Sequence, residues 1–393
     1  MRPTALKLTV LILSFSYLST YIQAQSVEPI NVVTTAVPFL RISPDARAGA
    51  MGDLGVATSP DACAGFWNIG KVSFNQSKGA VAATYTPWLK NIVGDVYLAS
   101  LAGYYKFAEN QSISGSLRYF SLGDIQFTDN LGNNFGSFRP REFGLDVGYS
   151  RKLTEKDGIG VALKYINSNL AGGTSVGGTT YKAGNAVAAD IGFYHDGKSE
   201  AGSGWTWGVA LTNLGSKISY TDNADAKDFI PANLGIGGTY TKVFNEQNKV
   251  TFGLDLNKLL VPTPPKAPNG QATAADSAAL ADYRKKGVIS SWFSSFGDAP
   301  DGFSEELKEF QVSVGAEYWY NNQFSLRAGY FFEDKTKGNR KYFTMGLGIK
   351  YNVFGLNFSY LLPSGSGVSQ NPLSNTLRFS IIFDLDSDNS AAN

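Results

Sequence analysis

The clearest feature of the chain after residue 78 is a regular alternation of apolar residues with small or polar ones. In one such segment, Phe252, Leu254 and Leu256 alternate with Gly253 and Asp255. Because successive side chains of a β-strand point to opposite faces, each segment has one apolar face and one small or polar face. Most segments approach or exceed the ~9–11 residues that a tilted strand needs to cross a bilayer. The alternation predicts fourteen strands, over residues 79–88, 94–107, 111–122, 139–151, 158–169, 183–195, 204–214, 231–242, 247–260, 306–321, 323–333, 340–352, 354–362 and 374–385.

The connections between the predicted strands differ in length in a regular way. Those after even-numbered strands are mostly short, and the long ones follow odd-numbered strands, at residues 123–138, 170–182, 215–230, 261–305 and 363–373. Outer-membrane barrels have short periplasmic turns, long outer loops and an even number of strands. The sequence therefore predicts an all-β protein, a transmembrane antiparallel β-barrel of about fourteen strands over residues 79–385 with its N-terminus in the periplasm.

Charged side chains within the predicted strands lie mostly on the face opposite the large apolar residues. A charge on the lipid face near the bilayer midplane costs ~2–4 kcal/mol, so this polar face should line the lumen. A large soluble β-sandwich would also alternate, but its wet face would carry more Lys and Glu than the Gly, Ser and Thr found here. The predicted lumenal charges, which can pair as structural salt bridges, are Arg118, Asp146, Lys164, Asp190, Asp255, Glu317, Arg327, Lys350 and Arg378.

The composition agrees with a membrane barrel and narrows the possible chemistry. Of the 393 residues, 17% are charged, against about 25% in soluble domains. The formal net charge of +1 offers no electrostatic reason to expect nucleic acid as a partner. The chain has one Cys, Cys63, and one His, His195, so it can form no internal disulfide and has too few ligands for a zinc site. No metal and no cofactor is expected.

The first 24 residues are typical of a secretory signal peptide. Arg2 and Lys7 supply positive charge, residues 8–18 are mainly apolar, and residues 22–24 (Ile-Gln-Ala) resemble a cleavage site. The apolar run is shorter than the ~20 residues that an uncleaved spanning helix needs. The sequence therefore predicts an exported chain that begins at Gln25 and lies in the cell outer membrane.

Two regions fall outside the strand pattern, apart from a polar C-terminal tail at residues 386–393. Residues 25–78 form an N-terminal arm rich in Gly, Ala, Asp and Pro. Side chains already fill a barrel of eight strands, so a wider barrel leaves space that the arm can occupy. We expect the arm to plug the periplasmic half of the lumen.

The second region is the outer loop at residues 261–305. Residues 272–286 favour a helix, and after Gly287 the apolar residues Ile289, Trp292, Phe293 and Phe296 recur at helical spacing. An exposed apolar patch usually marks an interaction site, so these four are the candidate residues for binding cargo or partners. The same stripe could instead belong to a lid that packs on the mouth of the barrel.

The sequence contains little evidence for a catalytic site. His195 lies beside a predicted periplasmic turn, where a solvated or satisfied histidine is the usual interpretation. The glycine-rich stretch 172–178 lacks the Lys of a phosphate-binding loop. The lumenal carboxylates could form an acid–base pair, as in barrel-embedded lipid hydrolases, but salt bridges explain them as well. We expect no catalytic residues and no enzyme activity.

Several motifs resemble one known family. The arm sequence FLRISPDARAGAMGDLGVATSPD (39–61), followed by FWN (66–68), resembles the start of the PorV/PorQ family. The segments FSEELKEF (303–310), GAEY (315–318) and RAGYF (327–331) also look PorV-like. Residues 69–70 (Ile-Gly) depart from the Pro-Ala that the wider family usually has after this Asn.

The resemblance implies a role in protein secretion. Members of this family are outer-membrane barrels of the type IX secretion system, distantly similar to FadL long-chain fatty-acid transporters. They associate with the large translocon barrel, accept cargo proteins through a conserved C-terminal domain, and deliver them to a cell-surface attachment complex with a sortase-like peptidase. The expected partners are these proteins and outer-membrane lipid. The main alternative is a FadL-like transporter of hydrophobic small molecules with a movable plug, and a lumenal or surface hydrolase is the third.

Overall fold

The computed structural model describes residues 31–88, 94–128, 132, 134–176, 178–222, 227–265, 273–364 and 376–386. The predicted signal peptide (1–24), the first six residues of the predicted arm (25–30) and all but the first residue of the predicted polar tail (386–393) lie outside the described residues. Of the arm, the structure therefore describes residues 31–78. Within the described ranges, no helix combines the length and the apolar composition needed to cross a membrane.

Fourteen antiparallel strands form one closed sheet, in which the last strand pairs with the first. The pairing places Ala83 of the first strand opposite Ile381 of the last. The predicted fold class is therefore confirmed in strand number and topology. The strands are β1 (Gly79–Pro87), β2 (Val96–Ala108), β3 (Gln111–Leu122), β4 (Arg141–Lys152), β5 (Asp157–Asn169), β6 (Gly184–Asp196), β7 (Gly204–Gly215), β8 (Asn233–Val243), β9 (Asn248–Leu259), β10 (Gln311–Tyr320), β11 (Phe324–Phe332), β12 (Lys341–Tyr351), β13 (Phe354–Pro363) and β14 (Leu377–Asp384).

The alternation along each strand separates the two faces of the wall. Leu163, Val187 and Leu326 are each more than half exposed on the outer surface, whereas Thr206 and Ser313 are buried. A wall that crosses lipid must have its backbone hydrogen bonds satisfied internally and its apolar side chains outward, and the closed barrel meets both conditions.

Short connections lie at one end of the barrel and long ones at the other. The turn between β10 and β11 contains Asn321 and Asn322 at φ 53° and 52°. Asn tolerates this left-handed conformation better than most residues, so it suits a tight hairpin. We name the two ends the short-turn end and the loop end. In outer-membrane barrels the short-turn end faces the periplasm.

Four α-helical segments occur in the described residues: α1 (Ala46–Gly49) in the arm, and α2 (Ala274–Lys285), α3 (Val288–Ser294) and α4 (Phe303–Lys308) between β9 and β10. The strand predicted over residues 306–321 was wrong at its start, because residues 306–308 belong to α4. Gly302, at φ 75°, precedes this helix, and Glu305 and Glu306 lie in its first turn, where acidic side chains are favourable. The outer loop therefore extends five residues beyond its predicted end, to Phe310, directly before β10.

The N-terminal arm is the core of the barrel. Its Phe39 and Leu40 pack with Leu98 and Ile166 of the wall in one buried cluster. A second cluster, formed by the arm around Ile69, packs against alanines of β1, β2 and β5. The lumen is therefore filled by the protein's own chain, and burial of these side chains holds the arm in place.

The arm fills more of the lumen than the sequence predicted. Asn31 donates its backbone N–H to the carbonyl of Thr336 at the loop end (3.0 Å), and Asn75 lies beside the short-turn end. The expectation of a plug confined to the periplasmic half was therefore wrong. The apolar residues between Val37 and Phe74 are spread along the arm, so burying all of them requires the whole length of the lumen.

Candidate functional site

A belt of glycines lets the arm lie directly on the barrel wall. A Cβ added at Gly315 would come 2.5 Å from the carbonyl oxygen of Met51, and one at Gly329 would overlap the main chain of Met51 and Gly52. Such distances are too short for any side chain, so the wall and the arm are matched in shape. Nine adjacent strands, β4 to β12, provide glycines whose added Cβ would come closer than 3.0 Å to the arm: Gly148, Gly158, Gly160, Gly192, Gly208, Gly237, Gly253, Gly315, Gly329 and Gly346.

Polar contacts from the wall hold the arm in register. The carboxylate of Asp255 accepts the backbone N–H groups of Gly55 (2.7 Å) and Val56 (2.8 Å). The amide of Asn68 donates to the carbonyl of Phe193 in β6 (2.9 Å). Buried polar groups without such partners would be costly, so each contact specifies where the arm must lie.

A buried ionic network joins the arm to β10 and β11. Arg47 of the arm donates two hydrogen bonds to the carboxylate of Glu317, Nε to Oε1 at 2.9 Å and Nη2 to Oε2 at 2.8 Å. Its Nη1 donates to Asp61 (2.9 Å), and Arg327 shares Glu317 from the other side (2.7 Å). The sequence pattern identified Glu317 and Arg327 but missed Arg47, which lies outside the strands and has no period-two signal.

The other predicted lumenal charges are placed as follows. Lys164 pairs with Asp146 (3.3 Å) and Asp190 (3.1 Å) inside the wall. Arg118 donates to the carbonyl of Leu40 in the arm (2.8 Å). Lys350, half-exposed, pairs with Asp384 at the short-turn end (3.1 Å). Arg378 is fully buried, and among the described residues no hydrogen-bond acceptor reaches its guanidinium. The inward-facing charges therefore serve arm contacts as well as pairs within the wall.

At the loop end, the arm is held by Glu333, between β11 and β12. Its carboxylate accepts hydrogen bonds from Arg340 (2.7 and 2.9 Å) and from Arg41 of the arm (3.3 Å). Burial alone would raise the pKa of Glu333, but the hydrogen bonds and charge of Arg340, with the charge of Arg41, outweigh it and lower this pKa below its ordinary range.

The contact between Glu333 and the arm should depend on pH. A carboxyl group whose pKa is lowered by folding stabilises the folded state at pH values above its pKa in the unfolded chain, about 4.3. This stabilisation is lost as the pH falls through the pKa of the folded state. We expect pepsin to cut the first part of the arm faster well below pH ~4.3 than just above it. Glu333→Gln should increase cleavage at the higher pH and flatten the pH dependence relative to the wild type. An unchanged slope in this variant would contradict the assignment.

The outer loop carries the candidate binding residues. Ile289 and Phe293 of α3 are 65% and 75% exposed, and Phe296 is 47% exposed. Trp292 is only half-exposed, and Phe296 lies beyond the last residue of α3. The predicted single helical stripe is therefore wrong in geometry, because the helix ends at Ser294 and Trp292 turns partly inward.

The structure adds two apolar residues to this surface. Phe303 and Leu307 of α4 are 76% and 55% exposed, and they are four residues apart on one helix face. The alternation pattern did not indicate them, because it placed Leu307 in a strand and Phe303 in the loop before it. The PorV-like segment 303–310 was the available signal. We call Ile289, Phe293, Phe296, Phe303 and Leu307 the outer apolar set.

A cluster of buried ions fixes α4 to the barrel. Lys258 of β9 pairs with Glu306 (3.1 Å) and Glu309 (2.5 Å). Lys337, between β11 and β12, pairs with Glu305 (2.5 Å) and Glu309 (3.0 Å). All five side chains are less than 10% exposed. We call these five residues the outer ion cluster; they hold the loop in one position above the barrel.

A second contact fixes α2. Lys217, in the connection after β7, donates to the carbonyl oxygens of Arg284 and Lys286 at the end of this helix (both 2.6 Å). Phe229 packs edge-on against Tyr283 of α2, with ring centroids 5.7 Å apart. The described parts of the outer loop are therefore docked on the barrel and on a neighbouring loop, while the outer apolar set remains exposed.

The structure also shows the surroundings of His195, which was considered as a catalytic residue. His195 lies at the short-turn end, where its Nδ1 is 2.7 Å from the carboxylate of Asp157 and its ring stacks on Trp207. Over the ranges that the structure describes, no three His, Cys, Asp or Glu side chains form a group that could hold a metal ion.

Comparison with known proteins adds two findings. The model of a family described as type IX secretion system protein PorV matches residues 24–266. Among solved structures, the toluene transporter TbuX of Ralstonia pickettii is 12% identical with a TM-score of 0.51, covering 86% of this chain and 97% of its own. The toluene transporter TodX of Pseudomonas putida is 12% identical with a TM-score of 0.52, covering 90% and 98%. None of the curated proteins matches.

A closed fourteen-stranded wall with an apolar outer surface, and a lumen filled by its own N-terminal arm, defines a plugged outer-membrane β-barrel. The two toluene transporters share this fold, and at their low identity they show the fold alone. The family model covers more than half of the chain, so the protein belongs to the family of the type IX secretion system protein PorV. It is an outer-membrane component of that system, and the expected family resemblance is confirmed.

Proposed function

We propose that the protein binds secreted cargo on its outer loop and carries it from the translocon barrel to the attachment complex at the cell surface. The observation that carries this proposal is the outer apolar set, which is exposed to solvent on a loop held by buried ion pairs. The short-turn end faces the periplasm in barrels of this class, so the set lies on the outer side of the membrane.

Exposure of this set has an energetic cost that a partner would remove. Burying a Phe, Leu or Ile side chain stabilises a complex by roughly 1.5–3 kcal/mol relative to leaving it in water. Because the outer ion cluster already holds α4 in position, little conformational entropy is lost when a partner binds there. Large apolar side chains on a fixed scaffold are typical of protein-binding surfaces.

The filled lumen supports a carrier rather than a pore. One cavity between the arm and the wall, lined in part by Leu40, Arg118 and Phe331, has a volume of about 100 Å³. Sites for small-molecule ligands usually measure ~300–1,000 Å³, and a polypeptide needs a far wider path. Cargo handled by this protein would therefore stay outside the barrel.

The test is capture of cargo by a double variant. With Ile289→Ser and Phe293→Ser, recovery of exported proteins with the tagged barrel from mild detergent should fall at least about tenfold, because two large apolar contacts are lost. Leu280→Ser is the matched control, since it removes a 41% exposed apolar side chain from α2 of the same loop. Its recovery should equal that of the wild type.

Two results would contradict the proposal. Normal recovery of exported proteins with the double variant would show that α3 does not bind cargo. Equal losses of recovery in the double variant and the control would show that the substitutions disturb the loop in general. Mass spectrometry of the wild-type pull-down should also identify the large translocon barrel and proteins that share one C-terminal domain.

The second candidate is a transporter of small hydrophobic molecules, which the fold shared with TbuX and TodX favours. It requires an arm that moves, because the lumenal cavity beside Leu40 and Arg118 holds only about 100 Å³. The barrel alone, with bound fatty acid or aromatic hydrocarbon and no exported protein in native mass spectrometry, would favour this candidate.

A further inference from the structure

A polar vestibule occupies the short-turn end of the barrel. Its volume is about 500 Å³, within the ~300–1,000 Å³ of known ligand sites. The arm contributes Arg47 and Asp61 to its lining, and the wall contributes Lys249, Trp319 and Arg327. The vestibule is thus separate from the outer loop and faces the periplasm.

Most charges around the vestibule are already paired. Arg47 and Arg327 share Glu317, and Lys350 pairs with Asp384. Lys249 differs: no ion pair or hydrogen bond joins its ammonium to the described residues, and it lies 5.9 Å from the centre of the Trp319 ring. Lys249 and Trp319 are opposite each other on β9 and β10. One half-buried cation beside an aromatic ring is therefore left for an anionic ligand.

The rim of the vestibule is formed by residues with side-chain amides. Asn321, Asn322 and Gln323 of one turn and Asn352 of the next are exposed and line its opening. A carboxamide has both a donor and an acceptor, as a peptide bond does, so it suits an extended polypeptide better than a simple ion. Phosphate groups favour the bidentate fork of Arg. Arg47 directs its fork at Glu317, and Arg327 donates from Nε to Glu317 and from Nη1 to Asn357.

We propose that the vestibule binds an extended acidic peptide segment of a periplasmic or exported protein. A carboxylate of the peptide pairs with Lys249 beside Trp319, and its backbone amides bond to the carboxamides of the rim. The proposal is independent of cargo capture, because it involves no residue of the outer loop. It gives the protein a binding site on each side of the membrane.

The experiment measures fluorescence anisotropy of a labelled peptide with the purified full-length barrel in detergent at low salt. The probe is a hexapeptide of alternating aspartate and serine, and its counterpart replaces aspartate with lysine. We expect binding of the acidic peptide only, weakened at least about tenfold by Lys249→Gln, since a charge-assisted contact is lost. Lys156→Gln, an exposed lysine in another turn of the same end, is the matched control and should bind normally.

A second variant and two competing anions test the site independently of Lys249. Gln323→Ala, an exposed rim change that leaves the wall intact, should weaken binding several-fold, and it tests the site even if Lys249→Gln fails to fold. Equal binding by wild type and by both Lys249→Gln and Gln323→Ala would overturn the proposal. It would also be overturned if inorganic phosphate, or micelles containing phosphatidylglycerol, displaced the peptide completely at equal anion concentration, because the site would then recognise a phosphate or a lipid headgroup.

Discussion

Replacing Gly329 with valine should detach the N-terminal arm from the barrel wall. A Cβ at this position overlaps the backbone of Met51 and Gly52, and neither the wall nor the arm can move aside without losing other contacts. Overpacking a well-filled core typically costs ~1–3 kcal/mol, and here the clash is with main chain rather than with a flexible side chain. The strands themselves carry outward apolar faces and a complete hydrogen-bonded ladder, so the barrel should remain closed.

The measurement is limited proteolysis of the folded barrel in detergent, followed by conductance in planar bilayers. We expect cleavage within residues 31–78 at least about tenfold faster than in the wild type, since ~1.4 kcal/mol corresponds to a factor of ten. An ion current absent from the wild type should also appear. Gly238→Val is the matched control, because a Cβ there would lie 3.7 Å from its nearest neighbour, the carbonyl oxygen of Thr206. An arm as well protected in Gly329→Val as in the control would contradict the assigned contact.

Replacing Glu309 with glutamine should release the outer loop from the barrel. Glu309 bridges Lys258 and Lys337, and its loss leaves two buried ammonium groups with only Glu306 and Glu305 as partners. Removing one member of a buried ion pair typically costs ~3–5 kcal/mol, because a charge is left without compensation in a low-dielectric site. The effect should be confined to the loop, since the wall beneath it is closed without it.

Hydrogen–deuterium exchange should detect this release as faster exchange in residues 288–310, with strands β9 and β10 unchanged. Asp282→Asn, which neutralises an exposed acid on α2 of the same loop, is the control and should leave exchange as in the wild type. Unchanged exchange in the Glu309→Gln variant would mean that the outer ion cluster does not hold the loop.

The two variants also distinguish the two candidate functions. If cargo binds to the outer loop alone, Gly329→Val should still capture it, whereas Glu309→Gln should capture it poorly because the outer apolar set loses its fixed position. The opposite pattern would favour a transporter in which the arm and the lumen carry the activity.

The positions of the fourteen strands were determined by the sequence by itself. A strand that faces lipid on one side and the lumen on the other must alternate with a period of two, and this constraint acts on each residue locally. The pattern failed at residues 306–308, where the alternating Glu306, Leu307 and Lys308 also suit a helix. Glycine and acidic residues at the start of that segment were the competing local signal.

Only the tertiary structure decided where the arm lies, which charges pair and which apolar residues of the outer loop stay exposed. Arg47 meets Glu317 across 270 positions of the chain, and Asp255 meets Gly55 across 200. The exposure of Phe303 and Leu307 likewise depends on Lys258 and Lys337, which hold the opposite face of α4. The period-two pattern depends only on neighbouring residues of one segment. It therefore cannot predict contacts between distant segments, which form only when the barrel closes around the arm.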